Sequence, residues 1–159
     1  MINQKDPDVI VTTEPMLTKT DEVEIDTVKA ADDINFESTE GKGLTLGNNI
    51  IYFDYDQYGV DKDEDKNTIK LYSNYMIKNK KATIRIEGHA DERGSRAYNL
   101  ALGEKRAETI KEIMLINGVS ENSIEVISYG EEKPAVTGIS EETHSLNRRV
   151  EIIFSNPGK

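Results

Sequence analysis

No cysteine occurs among the 159 residues, and tryptophan is absent as well. Disulfides, thiol nucleophiles and thiolate-held zinc are therefore excluded, while the compartment stays open. Long apolar runs are also missing. Near the start the longest is Val9–Val11, far short of the roughly 18 residues a membrane-crossing helix needs. Asp6, Asp8 and Glu14 interrupt the first twenty residues, so this stretch is not the apolar segment of a signal peptide. Two readings stay open for it: no export, or a targeting region cut away.

What is present divides unevenly. Residues 1–40 carry eleven carboxylates against three lysines, a net of −8, whereas the rest of the chain nets only −2. A balanced domain behind an acidic tail does not suit nucleic acid, whose phosphates require a positive surface. The apolar share of 36% supports one modest core. Residues 1–47 read as a flexible, solvated acidic arm, with Val23, Ile25 and Val28 able to form a short edge strand. Residues 48–156 read as the folded domain and 157–159 as a short tail.

Inside the domain the periodicity is clear. Ile50-Ile51-Tyr52-Phe53 has the β-branched and aromatic content of a strand. Asp61–Lys78 is expected to be a helix, with acids in its first turns and lysines at its far end, as the helix dipole favours. Its apolar side is Ile69, Tyr72 and Met76, widened by Leu71 and Tyr75. Ala82, Ile84 and Ile86 alternate with polar residues as a second strand ending at Gly88. A second helix runs from near Asn99 to Asn117. Ile124, Val126 and Ser128 mark a third strand, Ser140–Leu146 a helical turn, and Val150, Ile152 and Phe154 a fourth strand. The order β-α-β-α-β-(short helix)-β predicts an α/β two-layer sandwich with a mixed four-stranded sheet. The last strand is free to run antiparallel.

One residue breaks the second helix's apolar stripe. With Leu102 set at 0° and 100° per residue, Ile113, Ile110, Met114 and Ala107 span about 20° to 140°, and Arg106 falls among them at about 40°. Asn99 falls at about 60°. A guanidinium is costly to bury without partners, so Arg106 is either paired with a carboxylate, snorkelling to an edge, or placed for a ligand. It lies near the strand-exit edge, where α/β folds gather their binding loops. Asp91, in the loop after strand two, reaches that edge. So do Asp54, Tyr55 and Asp56 after strand one, if those two strands are neighbours. Carboxylates, aromatics and a desolvated arginine together suit a zwitterion, its carboxylate on the arginine and its ammonium on the aspartate. Asp91 is equally open to the plain role of a loop cap.

His89, Asp91 and Glu92 do not make a persuasive metal set, since Glu92 faces away from the other two and the only other histidine is His144. No metal and no cofactor is expected. A hydrolase or amidase would have to use Asp91 with Glu92, Asp54 or Asp56. The nucleophile-elbow, phosphate-loop and zinc-protease motifs are all missing.

The segment GHADERGSRAYNLALGEKRA at Gly88–Ala107 is very similar to the signature of the OmpA-like cell-wall-binding domain. Supporting matches are IYFDYDQYGV at Ile51–Val60, SYGEEKP at Ser128–Pro134 and NRRVEI at Asn147–Ile152. The resemblance covers about residues 48–156 and is strongest to the lipoprotein branch of the Tol–Pal system. It implies a non-enzymatic domain that binds the diaminopimelate-containing stem peptide of peptidoglycan. Asp91 and Arg106 would hold the amino-acid head of diaminopimelate. Tyr55 would lie near the ligand, with Asp56, Arg93, Asn99, Leu102 and Arg149 as lesser contacts. It further implies TolB and other envelope proteins as partners, and a place on the periplasmic face of the outer membrane through an N-terminal lipid. Two features depart from the family: Gly103 stands where many relatives have serine, and the lipid-bearing cysteine with its signal peptide is absent. A stator or porin-linked version of the same domain would need membrane-embedded segments upstream, and is the remaining alternative.

Overall fold

In a computed structural model, the described part of the chain comprises residues 37–39 and 43–158. The strand considered at Val23–Val28 lies outside it. Six strands form one sheet: β1 (Glu37–Thr39), β2 (Gly43–Thr45), β3 (Ile50–Tyr52), β4 (Thr83–His89), β5 (Ile124–Gly130) and β6 (Arg149–Asn156). The helices are α1 (Asp63–Lys78), α2 (Arg96–Ile116) and the short α3 (Glu141–Asn147).

The four strands read from the sequence form the core of the sheet in the order β3-β6-β4-β5. β4 and β5 run parallel, and the pairs made by β6 are antiparallel. β3 is therefore not beside β4, as the sequence reading had allowed; β6 stands between them. The β1–β2 hairpin inside residues 1–47 adds to the sheet, β2 meeting β6 at Leu44 and Phe154. Asn49 ties the junction between β2 and β3: its carbonyl accepts from Ile152 N at 2.8 Å, and its Nδ2 donates to Ile152 O at 3.1 Å. The hairpin escaped the sequence reading because its strands are three residues each, too short for a period of two to show.

Both long helices cover one face of the sheet. Ile84, Ile86, Val150, Ile152 and Phe154 point to that face and are buried. Tyr72 and Tyr75 of α1 pack their rings on Phe154 at 5.7 and 5.0 Å. α2 starts three residues earlier than its apolar stripe indicates, because the Ser95 side chain accepts a hydrogen bond from Tyr98 N and caps it. Its buried stripe is Asn99, Leu102, Gly103, Arg106, Ala107, Ile110 and Met114. Ile113, expected within the stripe, sits half-buried at its margin. Gly103 lets α2 lie against the sheet: a Cβ on Gly88 of β4 would stand 1.8 Å from the Gly103 carbonyl oxygen. This close crossing presses the first half of α2, with Arg106, onto the exit ends of β3 and β4.

Candidate functional site

Arg106 is fully buried, and its guanidinium is held by backbone carbonyls. Nε donates to Gln57 O at 2.8 Å, Nη1 to His89 O at 2.9 Å and Nη2 to Asp54 O at 3.2 Å. The loop after β3 and the last residue of β4 thus converge on one side chain, although the two strands are not neighbours. Among the described residues no carboxylate pairs with Arg106, so the internal salt bridge considered from the sequence is not what holds it. A guanidinium has five N–H donors. Three are engaged, leaving one on each terminal nitrogen, the spacing of a two-pronged carboxylate contact. Burial, reinforced by the charge of Arg148, pushes the Arg106 guanidinium down to about 10, with Asp91 and Asp56 opposing. An anion brought to this point would meet a cation with little solvent around it.

Asp91 is the nearest buried carboxylate of the loop. Its Oδ1 accepts from Arg93 N at 3.0 Å, a turn in which the aspartate caps its own loop, and from Arg93 Nε at 3.2 Å. Its Oδ2 accepts from Arg93 Nη2 at 2.8 Å, with Arg148 Nη1 at 3.5 Å. Burial alone would raise the Asp91 carboxyl, but the side-chain and backbone hydrogen bonds of Arg93 outweigh it and hold it below the usual range. Asp91 is thus kept ionised, the opposite of what a general acid at neutral pH needs.

Between them lies a pocket of about 130 Å³. Tyr55, Asp56, Asp91, Arg93, Asn99, Leu102 and Arg106 all line it. Tyr55 lies under Arg93, whose guanidinium carbon is 4.2 Å from the ring centroid. The Tyr98 hydroxyl donates to Asp56 Oδ1 across the rim. Buried Asn99 donates to Glu131 Oε1 at 2.6 Å.

Arg149 does not reach this pocket. It begins β6 with its side chain on the sheet face away from the helices. There Nε bonds Glu151 Oε2 at 2.6 Å and Nη2 bonds Lys133 O at 3.0 Å. Its neighbour Arg148, which sequence reasoning passed over, turns toward the site instead. Nε bonds Phe53 O at 2.9 Å, and Nη1 bonds Glu141 Oε2 at 3.1 Å. Arg148 ends α3 and Arg149 begins β6, so the two side chains leave the chain in different directions. Tyr98 was also missed; its place opposite the Asp54–Gly59 loop depends on tertiary contact. Among the described residues, no grouping of His, Asp and Glu is suited to hold a metal ion, and no helix is long and apolar enough to cross a membrane.

Comparison with known proteins agrees with this architecture. The model of the OmpA family matches residues 52–148, and the chain belongs to that family. Within it the chain is closely related to the peptidoglycan-associated lipoproteins. That of Legionella pneumophila is 48% identical over 87 residues, covering 55% of this chain and 49% of the relative. That of Pasteurella multocida is 35% identical over 106 residues, covering 67% and 70%. The matched region thus spans about half of the Legionella relative's length. The crystal structure of the peptidoglycan-associated lipoprotein from Burkholderia pseudomallei superposes with a TM-score of 0.67 at 35% identity, covering 69% of this chain and 92% of that one. The C-terminal domain of Helicobacter pylori MotB, at 24% identity and a TM-score of 0.62, shares the fold.

Proposed function

We propose that this domain holds peptidoglycan non-covalently by the diaminopimelate-containing stem peptide and links the outer membrane to the wall. One observation carries the reading: a buried arginine with no ion pair among the described residues keeps one N–H on each terminal nitrogen, beside a buried, ionised aspartate. The free amino-acid end of the diaminopimelate side chain offers a carboxylate and an ammonium on one carbon. The carboxylate sits on Arg106 and the ammonium on Asp91. Arg93, only part-buried and bonded to Asp91, gives way to the ammonium. Tyr55, Asp56, Asn99 and Leu102 wall the head group, and Arg148 takes the role first assigned to Arg149.

The relatives' name, peptidoglycan-associated lipoprotein, supports this reading and its setting. The domain works on the periplasmic face of the outer membrane, with a lipid anchor upstream and TolB among its envelope partners. It binds and releases without chemistry. Incubating the chain with purified muropeptides tests this: saturable binding with unchanged ligand masses is expected. New masses accumulating over many turnovers would establish the hydrolase or amidase reading instead.

A further inference from the structure

Asn117 is the only asparagine in the chain that a glycine follows. Asparagine is a labile side chain, and a following glycine adds to this: with no side chain beside it, its backbone nitrogen can reach the asparagine's amide carbon. The pair lies where α2 ends, at the opposite end of that helix from the pocket. Gly118 N donates to Leu115 O and Val119 N to Met114 O, both at 3.0 Å, and Gly118 has φ +105°. Two such bonds and a left-handed glycine close a helix C-terminus, and the usual apolar contact is present in buried Val119 and Met114. Asn117 Nδ2 donates to Ser73 Oγ of α1 at 3.1 Å, and that buried hydroxyl donates in turn to Ile69 O at 2.8 Å. Asn117 itself is exposed to water.

Each part of this cap opposes reaction between the two residues. Asn117 keeps a helical φ of −74° and ψ of −6°, which turns the Gly118 nitrogen away from the Asn117 Cβ, so a five-membered ring cannot close. The proton that Gly118 N must lose is engaged with Leu115 O, and the amide that must be attacked is tied to Ser73. Opening of the last helical turn removes all three constraints together, and helix ends open at far lower cost than the whole domain.

We propose that Asn117–Gly118 is a deamidation site, held latent by the α2 cap and released when the last turn frays. Gly118 N gives up its proton and bonds Asn117 Cγ. The Cγ–Nδ2 bond breaks, Nδ2 leaves as ammonia, and a cyclic imide remains. Water then opens the imide, at Cγ to give aspartate or at the main-chain carbonyl carbon of residue 117 to give isoaspartate; nothing is oxidised or reduced. Either product places a carboxylate at the C-terminus of α2, where the helix dipole disfavours it, and removes the N–H that Ser73 accepts. Isoaspartate also lengthens the main chain by one carbon and breaks the cap. The tie between α1 and α2 is then lost irreversibly.

Peptide mapping by mass spectrometry, on the full chain held at mildly alkaline pH with and without urea, tests this. In urea Asn117 should lose its amide before any other asparagine. In the folded chain it should do so at least about tenfold more slowly, the factor that an opening cost of about 1.4 kcal/mol gives. Ser73→Ala, which removes the acceptor of Asn117 Nδ2, should speed the folded reaction several-fold. Ile51→Val, a change in the core at β3, lowers stability generally and should leave that rate unchanged. Equal rates with and without urea, or another asparagine reacting first in urea, overturn the site. So does a Ser73→Ala rate no faster than wild type, or an Ile51→Val rate raised as much as that of Ser73→Ala, since the amide would then be released by global unfolding.

Discussion

Arg106 carries its charge in a place that disfavours charge, and this has a consequence for pH. Its folded pKa of about 10 lies well below the ordinary guanidinium value. Between those values the unfolded chain holds the proton more tightly. Raising pH through that window therefore relieves a penalty on the folded state. Carboxylate recognition moves the other way: it is complete below about 10 and fades as Arg106 loses its proton above that. The preference for a diaminopimelate peptide over a lysine peptide, titrated from pH 8 upward, should collapse near pH 10. Asp91 sets the acid limit. Its carboxyl is held below the usual carboxylate range by the hydrogen bonds of Arg93, so its share of binding should persist on acidification and be lost only below that range. A preference unchanged above pH 11, or affinity for the ammonium lost near pH 6, would be inconsistent with these roles. At this scale the sequence was informative wherever a residue broke a period. Arg106 and Asn99 stood out because a polar group on an apolar stripe must be satisfied somewhere. That the partners of Arg106 are carbonyls rather than a carboxylate depends on loop paths, which no local pattern encodes.

At the scale of elements, the crossing of α2 over β4 sets the distance between Arg106 and the strand exits. Gly88 and Gly103 make that crossing. A Cβ on Gly88 would meet the Gly103 carbonyl oxygen at 1.8 Å and its carbon at 2.6 Å, both backbone atoms that cannot rotate away. Gly88→Ala is expected to cost at least about 3 kcal/mol, in the range of severe overpacking, measured as a lowered midpoint in denaturant. Gly103→Ser should be milder. Its Cβ meets the Ser128 hydroxyl at 2.4 Å, a side chain that can move at the loss of its bond to Leu100 O. A Gly88→Ala midpoint matching wild type would show the helix to be free to shift, and the pocket with it. The type of every long element was legible, because runs of seven residues or more display their period. The start of α2 was not, since Ser95 caps it from outside the apolar pattern.

For the molecule as a whole, composition separated an acidic segment from a balanced domain, while the sheet reaches further back than residue 48. Thr45 and Leu46 are buried, and Leu46 N donates to the Tyr72 hydroxyl at 2.9 Å. Truncation to residue 48 should therefore lower the melting temperature by about 5 °C or more, roughly 1 kcal/mol for a domain of this size. Truncation to residue 37 should leave it within a degree or two. The layer order and the antiparallel last strand were legible because connection lengths restrict topology. The position of β6 between β3 and β4 was not, because strand order depends on which edges meet in the folded chain.

The claim on which the functional account turns is that Arg106 reads the ligand's carboxylate. Calorimetric titration of wild type and Arg106→Ala against matched diaminopimelate and lysine stem peptides measures this directly, since the lysine peptide keeps the ammonium and lacks the distal carboxylate. Wild type should prefer diaminopimelate. Arg106→Ala should lose about 2–5 kcal/mol toward that peptide, the usual scale for removing one side of a buried charged contact, and with it most of the preference. Arg106→Lys should restore little, because a point charge cannot reproduce the fork. If folded Arg106→Ala keeps the full wild-type preference and shows only a lower melting temperature, Arg106 serves the fold alone and the carboxylate is read elsewhere.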